Sequence, residues 1–360
     1  MHNSGVTILD KNSNNEDFAV LELSTKAVKL LIGPQKRLMK NEGFKYRDNY
    51  DNFNFRHFFR TAEKPETGKG LNSEMIMDMN YFNRKVIVSI NRMLDEIKNR
   101  GINKVICVAT AAYRKAKNQE EILNSIKDKC GINVKILNKK EEAEATYFAF
   151  ANSKPEYIDP EESQILIDQG GGSTEITFFQ NNEMVQTHSL GFGTTDIQKE
   201  LFNNIPNNSE TIKEGFERCK IFTHKYLRDL YLEAHKANLF ESDFDLCVAV
   251  GTAITVATSK KGNPNQHCFE MSIDFLEDKI KKTSMNFERS NITTTAELKN
   301  ITEKIDNSNT KKTLIQGSIT MNLGLPMIIE LLSKFSLDSL MVSGTGLWYG
   351  IYFQEIYELE

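Results

Sequence analysis

The 360-residue sequence has five cysteines, and none of the spacings that would turn them into a site. Cys107, Cys130, Cys219, Cys247 and Cys268 are scattered, without the paired blocks of a zinc ribbon or of a dithiol redox couple. Cys107 and Cys247 fall inside apolar strand patterns and are expected as buried thiols, which fits a reducing, cytoplasmic setting. The six histidines form no H-E-x-x-H or similar cluster, so no zinc centre is expected. Positive charge is not in excess: 45 Lys and Arg against 49 Asp and Glu give a net charge of -4. That balance argues against a general nucleic-acid binder, and any polyanion would have to meet a local basic site. No run approaches the length of a membrane span, and residues 1–16 are polar with no apolar signal core, so no membrane partner is expected.

What remains is an ordinary globular composition, 39% hydrophobic and 26% charged, in a chain long enough for two cores. Its most informative stretch is Gln164-Ile-Leu-Ile-Asp168-Gln-Gly170-Gly171-Gly172-Ser173-Thr174-Glu175-Ile-Thr-Phe-Phe179. An apolar run delivers Asp168 to the end of a strand, three glycines turn the chain, and Ile176 to Phe179 return as a second strand. Glycines let backbone N–H groups approach a phosphate closely, and carboxylates beside phosphate oxygens suit Mg²⁺. The same glycines would also serve a plain hairpin; two acids and two hydroxyls at the turn favour a phosphorylated ligand and a hard cation. No Gly-Lys-Ser/Thr closes the loop, so it is not a Walker A motif, and a strand rather than a helix follows, so it is not a dinucleotide fingerprint.

The rest of the chain alternates strands and helices. Residues 1–16 read as a disordered tail. Phe18 to Ile32 reads as two strands around Ser24-Thr25-Lys26, and Pro34 to Gly70 as a polar stretch able to hold a further strand and an ordered loop. Helical periodicity runs from Ser73 to Arg100, and Lys104 to Ala109 is a strand. Asn118-Gln-Glu-Glu121 reads as a helix N-cap with its acid at the third position. A strand at Val134–Leu137 and an acidic helix from about Lys139 follow. The two prolines between Pro155 and Ser163 mark a boundary. Beyond it come the glycine hairpin, a strand to Ser189, a long helix from Ser209 and a strand at Leu246–Val250. Helices near 272–284, 295–305 and 311–334, a strand at Leu340–Val342 and a terminal helix complete the chain. Both halves open with a hairpin and then alternate, so the expected fold class is α/β, with two duplicated lobes. The lobes are expected at 17–154 and 155–360, with the terminal helix able to pack back on the first.

Three further constellations stand at strand ends. Val108-Ala-Thr110-Ala-Ala-Tyr-Arg114 offers a hydroxyl and a guanidinium fork for phosphate, or simply a helix start with a solvated arginine. Glu141-Glu142-Ala-Glu144 opens a helix; its acids either answer the helix dipole or supply one that activates water. Gly251-Thr252 and Gly344-Thr345-Gly346 follow apolar strands and admit close backbone approach, or are plain turns.

Together these segments resemble the exopolyphosphatase/guanosine pentaphosphate phosphatase family, which has the actin-like ATPase fold of two ribonuclease-H-like lobes facing an interdomain cleft. Val108-Ala-Thr-Ala-Ala-Tyr-Arg-Lys-Ala-Lys-Asn118 looks like that family's V-A-T-x-A-x-R-x-A-x-N. Glu141-Glu142-Ala143 looks like its E-E-A, Ile167 to Glu175 like D-I-G-G-G-S-T-E, and Ser343 to Gly350 loosely like G-x-L-R-E-G. The resemblance implies a phosphohydrolase of the short two-domain form, with Glu142 as the base for the attacking water and Arg114 on phosphate. It implies Mg²⁺ on Asp168 and Glu175. Phosphate would be held by Gly170, Gly171, Gly172, Ser173 and Thr174, with Thr110, Thr25, Gly251 and Thr252 as further candidate contacts; Lys26, which stands where the family has asparagine, adds a charge that either holds a phosphate or fills the site. The substrate would be inorganic polyphosphate or guanosine pentaphosphate, and a homodimer fits the family. The chain departs from the pattern in its first loop, D-x-G-S-N-S in the family and Glu22-Leu-Ser24-Thr25-Lys26-Ala27 here. It also has Glu144 after E-E-A, and Trp348 and Tyr349 in place of arginine and glutamate. The altered first loop leaves open a regulator that binds polyphosphate or an alarmone without turnover.

Overall fold

The computed structural model describes residues 5–9, 17–34, 58–153, 162–181, 183–239, 244–258, 269–304 and 310–357. It divides the chain into two compact units, Met1–Asp159 with Thr345–Glu360, and Pro160–Gly344. The boundary stretch expected at 155–163 lies outside the described residues except for Glu162 and Ser163.

The first unit is built on β1 (Val6–Ile8), β2 (Phe18–Leu23), β3 (Val28–Gly33), β4 (Phe59–Glu63), β5 (Lys104–Ala109) and β6 (Lys135–Ile136), in the order β1-β5-β2-β3-β4 with β6 also on β5. β2, β3 and β4 form an antiparallel meander, and β5 runs parallel to β2, Leu23 pairing with Ala109. Strand β2 is buried along its whole length, so it reads as a continuous apolar run. Alternate side chains enter opposite layers. Ala19, Leu21 and Leu23 join the core under α1 (Met79–Tyr81), a π-helical stretch at Phe82–Ile87 and α2 (Val88–Asn99), while α3 (Ala111–Lys115) and α4 (Gln119–Cys130) complete that side. Phe18 and Val20 join Ala145 and Ala149 of α5 (Lys139–Ser153), together with aromatics of the terminal helix, Leu347–Tyr357.

Three expectations change here. Val6–Ile8, inside the expected disordered tail, forms a strand antiparallel to β5, on an edge that no other described strand pairs at Lys104–Ile106. Asn118 stands at the N-cap of α4 and donates to Glu121 Oε2 at 2.9 Å, but its side chain takes no helix amide: it accepts from Met77 N–H at 2.9 Å and donates to Met77 C=O at 3.1 Å, a backbone-like clamp across 41 residues. Helix α1 starts after its cap Asp78, whose carboxylate takes the amides of Asn80 and Tyr81, rather than near Ser73.

The second unit repeats the plan with β7 (Gln164–Gln169), β8 (Thr174–Gln180), β9 (Glu183–Ser189), β10 (Leu246–Gly251), β11 (Phe269–Ser272) and β12 (Ser339–Val342), ordered β11-β12-β10-β7-β8-β9. Again a meander, β7-β8-β9, is followed by a parallel strand, β10, on β7. Its helices are α6 (Thr194–Asn203), α7 (Ile212–Lys236), α8 (Thr252–Thr258), α9 (Ile273–Arg289), α10 (Thr295–Lys304) and α11 (Thr310–Lys334); the terminal helix is α12. Residues Thr313–Lys334 of α11 are long and apolar enough to cross a membrane, mean hydropathy 1.3, where no such run was expected. Most of that window is buried in this unit, Ile315, Ile319, Ile328 and Leu331 lying in its core, so its apolarity answers the core. Cys107 and Cys247 are buried as expected; Cys219 is too, and desolvation pushes its thiol up to about 12.

Arg218 of α7 ties α6 in place. It grips buried Glu210 with a two-pronged fork at 2.9 and 3.0 Å and donates to the C-terminal carbonyls of Glu200 and Leu201 at 2.8 and 3.2 Å. The hydrogen bond from Arg218 holds the Glu210 carboxyl below its usual value. This pair therefore stabilises the fold above the ordinary glutamate range, and that contribution is lost as pH falls through the lowered folded value. Arg218→Met is expected to cost roughly 1.5–3 kcal/mol at neutral pH and to flatten the acid side of the stability profile. Urea denaturation at stepped pH checks both; an unchanged profile would show that the fork carries no net stability.

Candidate functional site

In both units the chemistry-bearing residues stand where parallel strands end, the place at which α/β sheets present loops to ligands. In the first unit β2, β5 and β6 finish side by side, Leu23 beside Ala109 and Ala109 beside Ile136. Three segments leave from that edge: Ser24–Lys26, Thr110–Arg114 and Leu137–Glu142.

The structure sorts the three acids of the third segment. Glu141 is used at the start of α5: its carboxylate accepts from Asn138 N–H at 2.8 Å, and Asn138 Oδ1 accepts from Glu141 N–H at 2.9 Å, a reciprocal cap. Glu144 is exposed and 3.6 Å from Lys140. Glu142 is buried and meets Arg114, whose Nη1 donates to Glu142 Oε2 at 2.7 Å and to Leu137 C=O at 2.8 Å. Arg114 reaches it because Thr110, buried at the end of β5, starts α3 with its carbonyl and anchors its amide on Leu23 C=O at 3.1 Å. Thr110, Arg114 and Glu142 are thus one connected group, and the solvated-arginine alternative does not hold.

The altered first loop is an ordered turn. Ser24 Oγ donates to Ala27 C=O at 3.0 Å and accepts from Ala27 N–H at 3.2 Å. Thr25 is buried, and its carbonyl takes Gly68 N–H at 2.8 Å, while that of half-buried Lys26 takes Glu66 N–H at 3.0 Å. The segment before Gly70 is therefore an ordered loop laid against this turn, beyond strand β4. Glu22, at the end of β2, is buried with Lys29 at 2.6 Å, and the Lys29 ammonium lies 5.8 Å from the Trp348 ring centre. The substitution at Trp348 thus supplies a cation–π partner.

In the second unit β7 and β10 end together, Gln169 beside Gly251. Gly251 has φ 109°, and a Cβ there would sit 2.2 Å from the Gln169 carbonyl oxygen, so close backbone approach is what the glycine supplies. Thr252 then opens α8. Across the glycine turn the register sets Asp168 directly opposite Glu175. Gly170 N–H closes the turn on Ser173 C=O at 3.0 Å. Glu175 is 2% exposed, and Ser173 Oγ donates to its Oε2 at 3.1 Å. Thr174, fully buried, donates to Phe192 C=O at 3.1 Å. Both hydroxyls of the turn therefore have partners within the unit.

Residues absent from the sequence reading brace this turn from behind. The amides of Thr194 and Thr195, at the start of α6, donate to the carbonyls of Gly170 and Gly171 at 3.1 and 2.8 Å. Gly193 makes this possible: a Cβ on it would lie 2.5 to 2.7 Å from backbone atoms of Gly170 and Gly171. The Gly191-Phe192-Gly193 spacing after β9 was the available signal. Ser189, the last residue of β9, pairs in register with Glu175 and donates to its Oε1 at 3.0 Å.

A model of the Ppx/GppA phosphatase family matches residues 49–358. The bifunctional 3-dehydroquinate synthase/phosphatase of Fusobacterium nucleatum is 24% identical over 254 residues, 69% of this chain and 35% of that protein. The chain thus spans about a third of the length of this curated relative. Among solved structures, an exopolyphosphatase from Cytophaga hutchinsonii superposes with a TM-score of 0.69 at 14% identity, covering 96% of this chain and 99% of that one. A PPX-GPPA enzyme of Aquifex aeolicus does so with a TM-score of 0.63 at 19% identity, covering 94% and 99%. At these identities the likeness to the solved structures is one of fold, and the α/β, actin-like class expected from the sequence is the one the chain has.

Gly193→Ala would force a methyl group into backbone that has no flexible end to move aside. The expected loss is at least about 2 kcal/mol of unfolding free energy, read by urea denaturation. Wild-type stability in that variant would mean the turn yields freely and is not braced by α6.

Proposed function

Because the chain belongs to the Ppx/GppA phosphatase family, we propose that it is a Mg²⁺-dependent exopolyphosphatase, releasing the terminal phosphate of inorganic polyphosphate. The observation that carries this reading is the register of the glycine hairpin, which faces Asp168 with Glu175 across two strands. Like charges directly opposite in a sheet are unfavourable, and a hard divalent cation relieves that repulsion. The donor set fits Mg²⁺ in particular. Among the described residues no cluster of three or more His, Cys, Asp and Glu is present. Mg²⁺ is commonly held by one or two carboxylates, its remaining positions going to water and substrate phosphates. Asp168 and Glu175 would hold it, and its charge would neutralise the phosphoryl oxygens.

The chain's own residues account for the remaining steps. Glu142 takes a proton from water; the water oxygen bonds to the terminal phosphorus; the bridging P–O bond breaks, and its electron pair leaves with the shortened chain. Arg114, hydrogen-bonded to Glu142, keeps that carboxylate in place and brings positive charge for a phosphate oxygen. The Gly170 amide closes the turn on Ser173, and the turn's later backbone amides would donate hydrogen bonds to phosphate.

The first loop favours a second reading, a binding protein without turnover. Ser24 replaces the family's glycine and is tied to Ala27 by its own side chain, which stiffens a turn that elsewhere admits phosphate.

Phosphate release from long-chain polyphosphate and from guanosine pentaphosphate, each with and without Mg²⁺, separates these readings. The expected result is Mg²⁺-dependent release from polyphosphate, reduced about 100-fold or more in Glu142→Gln with polyphosphate binding retained. Preferential release from guanosine pentaphosphate would move the substrate to the alarmone. Binding without release by the folded wild type would establish the regulator.

A further inference from the structure

Glu175 is almost fully buried, yet each of its two carboxylate oxygens receives a hydroxyl, Ser173 on Oε2 and Ser189 on Oε1. The two donors differ in kind. Ser173 belongs to the turn and is a neighbour of any phosphate bound there. Ser189 comes from β9, two strands away from Asp168, in a row that reads Asp168, Glu175, Ser189 across the sheet.

We propose that Ser189 is a positioning residue that fixes the Glu175 carboxylate beside Asp168 as a ready-made half of a divalent-cation site. The inference rests on reading Asp168 and Glu175 as the metal ligands. A glutamate opposite an aspartate is driven to turn away while no cation is bound, and its three rotatable bonds offer many ways to do so. A hydroxyl from each side removes that freedom before the cation arrives. The cation then meets an ordered carboxylate and bears less of the ordering cost. Hydrogen bonds from outer residues to metal-ligating carboxylates govern affinity in this way, commonly by tenfold to a hundredfold. The cross-strand register explains why serine suits this position. Its short hydroxyl reaches the carboxylate of the residue directly opposite, and threonine places a hydroxyl at the same distance from the backbone.

The test is Mn²⁺ binding to the purified, metal-free protein, followed by the loss of the free-ion electron paramagnetic resonance signal, with Mg²⁺ as competitor. Ser189→Ala is expected to raise the Mn²⁺ dissociation constant by about tenfold or more with an unchanged melting temperature, and Ser189→Thr to restore it. Glu175→Gln is expected to weaken binding further. If Glu175→Gln weakens binding and Ser189→Ala does not, the metal reading stands and the role of Ser189 falls. If Ser189→Ala melts early and Ser189→Thr restores stability without restoring affinity, the serine is structural and the proposal is overturned. If Glu175→Gln itself leaves binding unchanged, the metal reading fails, and this inference with it.

Discussion

The glycine turn of the second unit is held by two hydrogen bonds from the start of α6. A helix leaves its first amides without intrahelical partners. Here those of Thr194 and Thr195 take the carbonyls of Gly170 and Gly171. The turn is thereby fixed between a hairpin on one side and a helix start on the other. Small residues are required on both surfaces, which is why Gly193 faces Gly170 and Gly171. The turn closes the ladder in which Asp168 faces Glu175, and from it Ser173 reaches Glu175.

The first unit solves the same problem with side chains. Its meander and parallel strand repeat those of the second, and its loops again leave from strand ends. Its first turn is closed by the Ser24 hydroxyl and by amides of the Glu66–Gly68 segment, so no glycine is required there. Acid chemistry is concentrated on one residue. Within the Glu141–Glu144 segment, capping uses Glu141 and Glu144 is exposed beside Lys140, which leaves Glu142 as its buried carboxylate, joined to Arg114, while buried Glu22 is paired with Lys29.

Much of this could be read from the chain because its signals are local. β7, the turn and β8 lie within one short segment, and apolar runs such as Phe18–Leu23 and Leu246–Gly251 mark strands buried on both faces. The features that escaped depend on partners far away in sequence. Asn118 stands at the N-cap of α4, yet its side chain clamps Met77. Val6–Ile8 looks like a polar tail until the free edge of β5 is known. Helix α6 is hard to read in the sequence because it opens on Gly193-Thr194-Thr195 and only Ile197 and Leu201 mark its buried apolar face, and its value lies in backbone amides that no side-chain pattern reports. Ser189 was read only as a strand end; register alone brings it to Glu175.

The central claim is that the opposed carboxylates of the glycine hairpin form the cation site. The most direct measurement is anomalous diffraction at the manganese edge from crystals grown with Mn²⁺ and a non-hydrolysable polyphosphate analogue. The account predicts a peak within coordination distance of both Asp168 and Glu175. A peak held by other residues, with those two carboxylates unengaged, would contradict it.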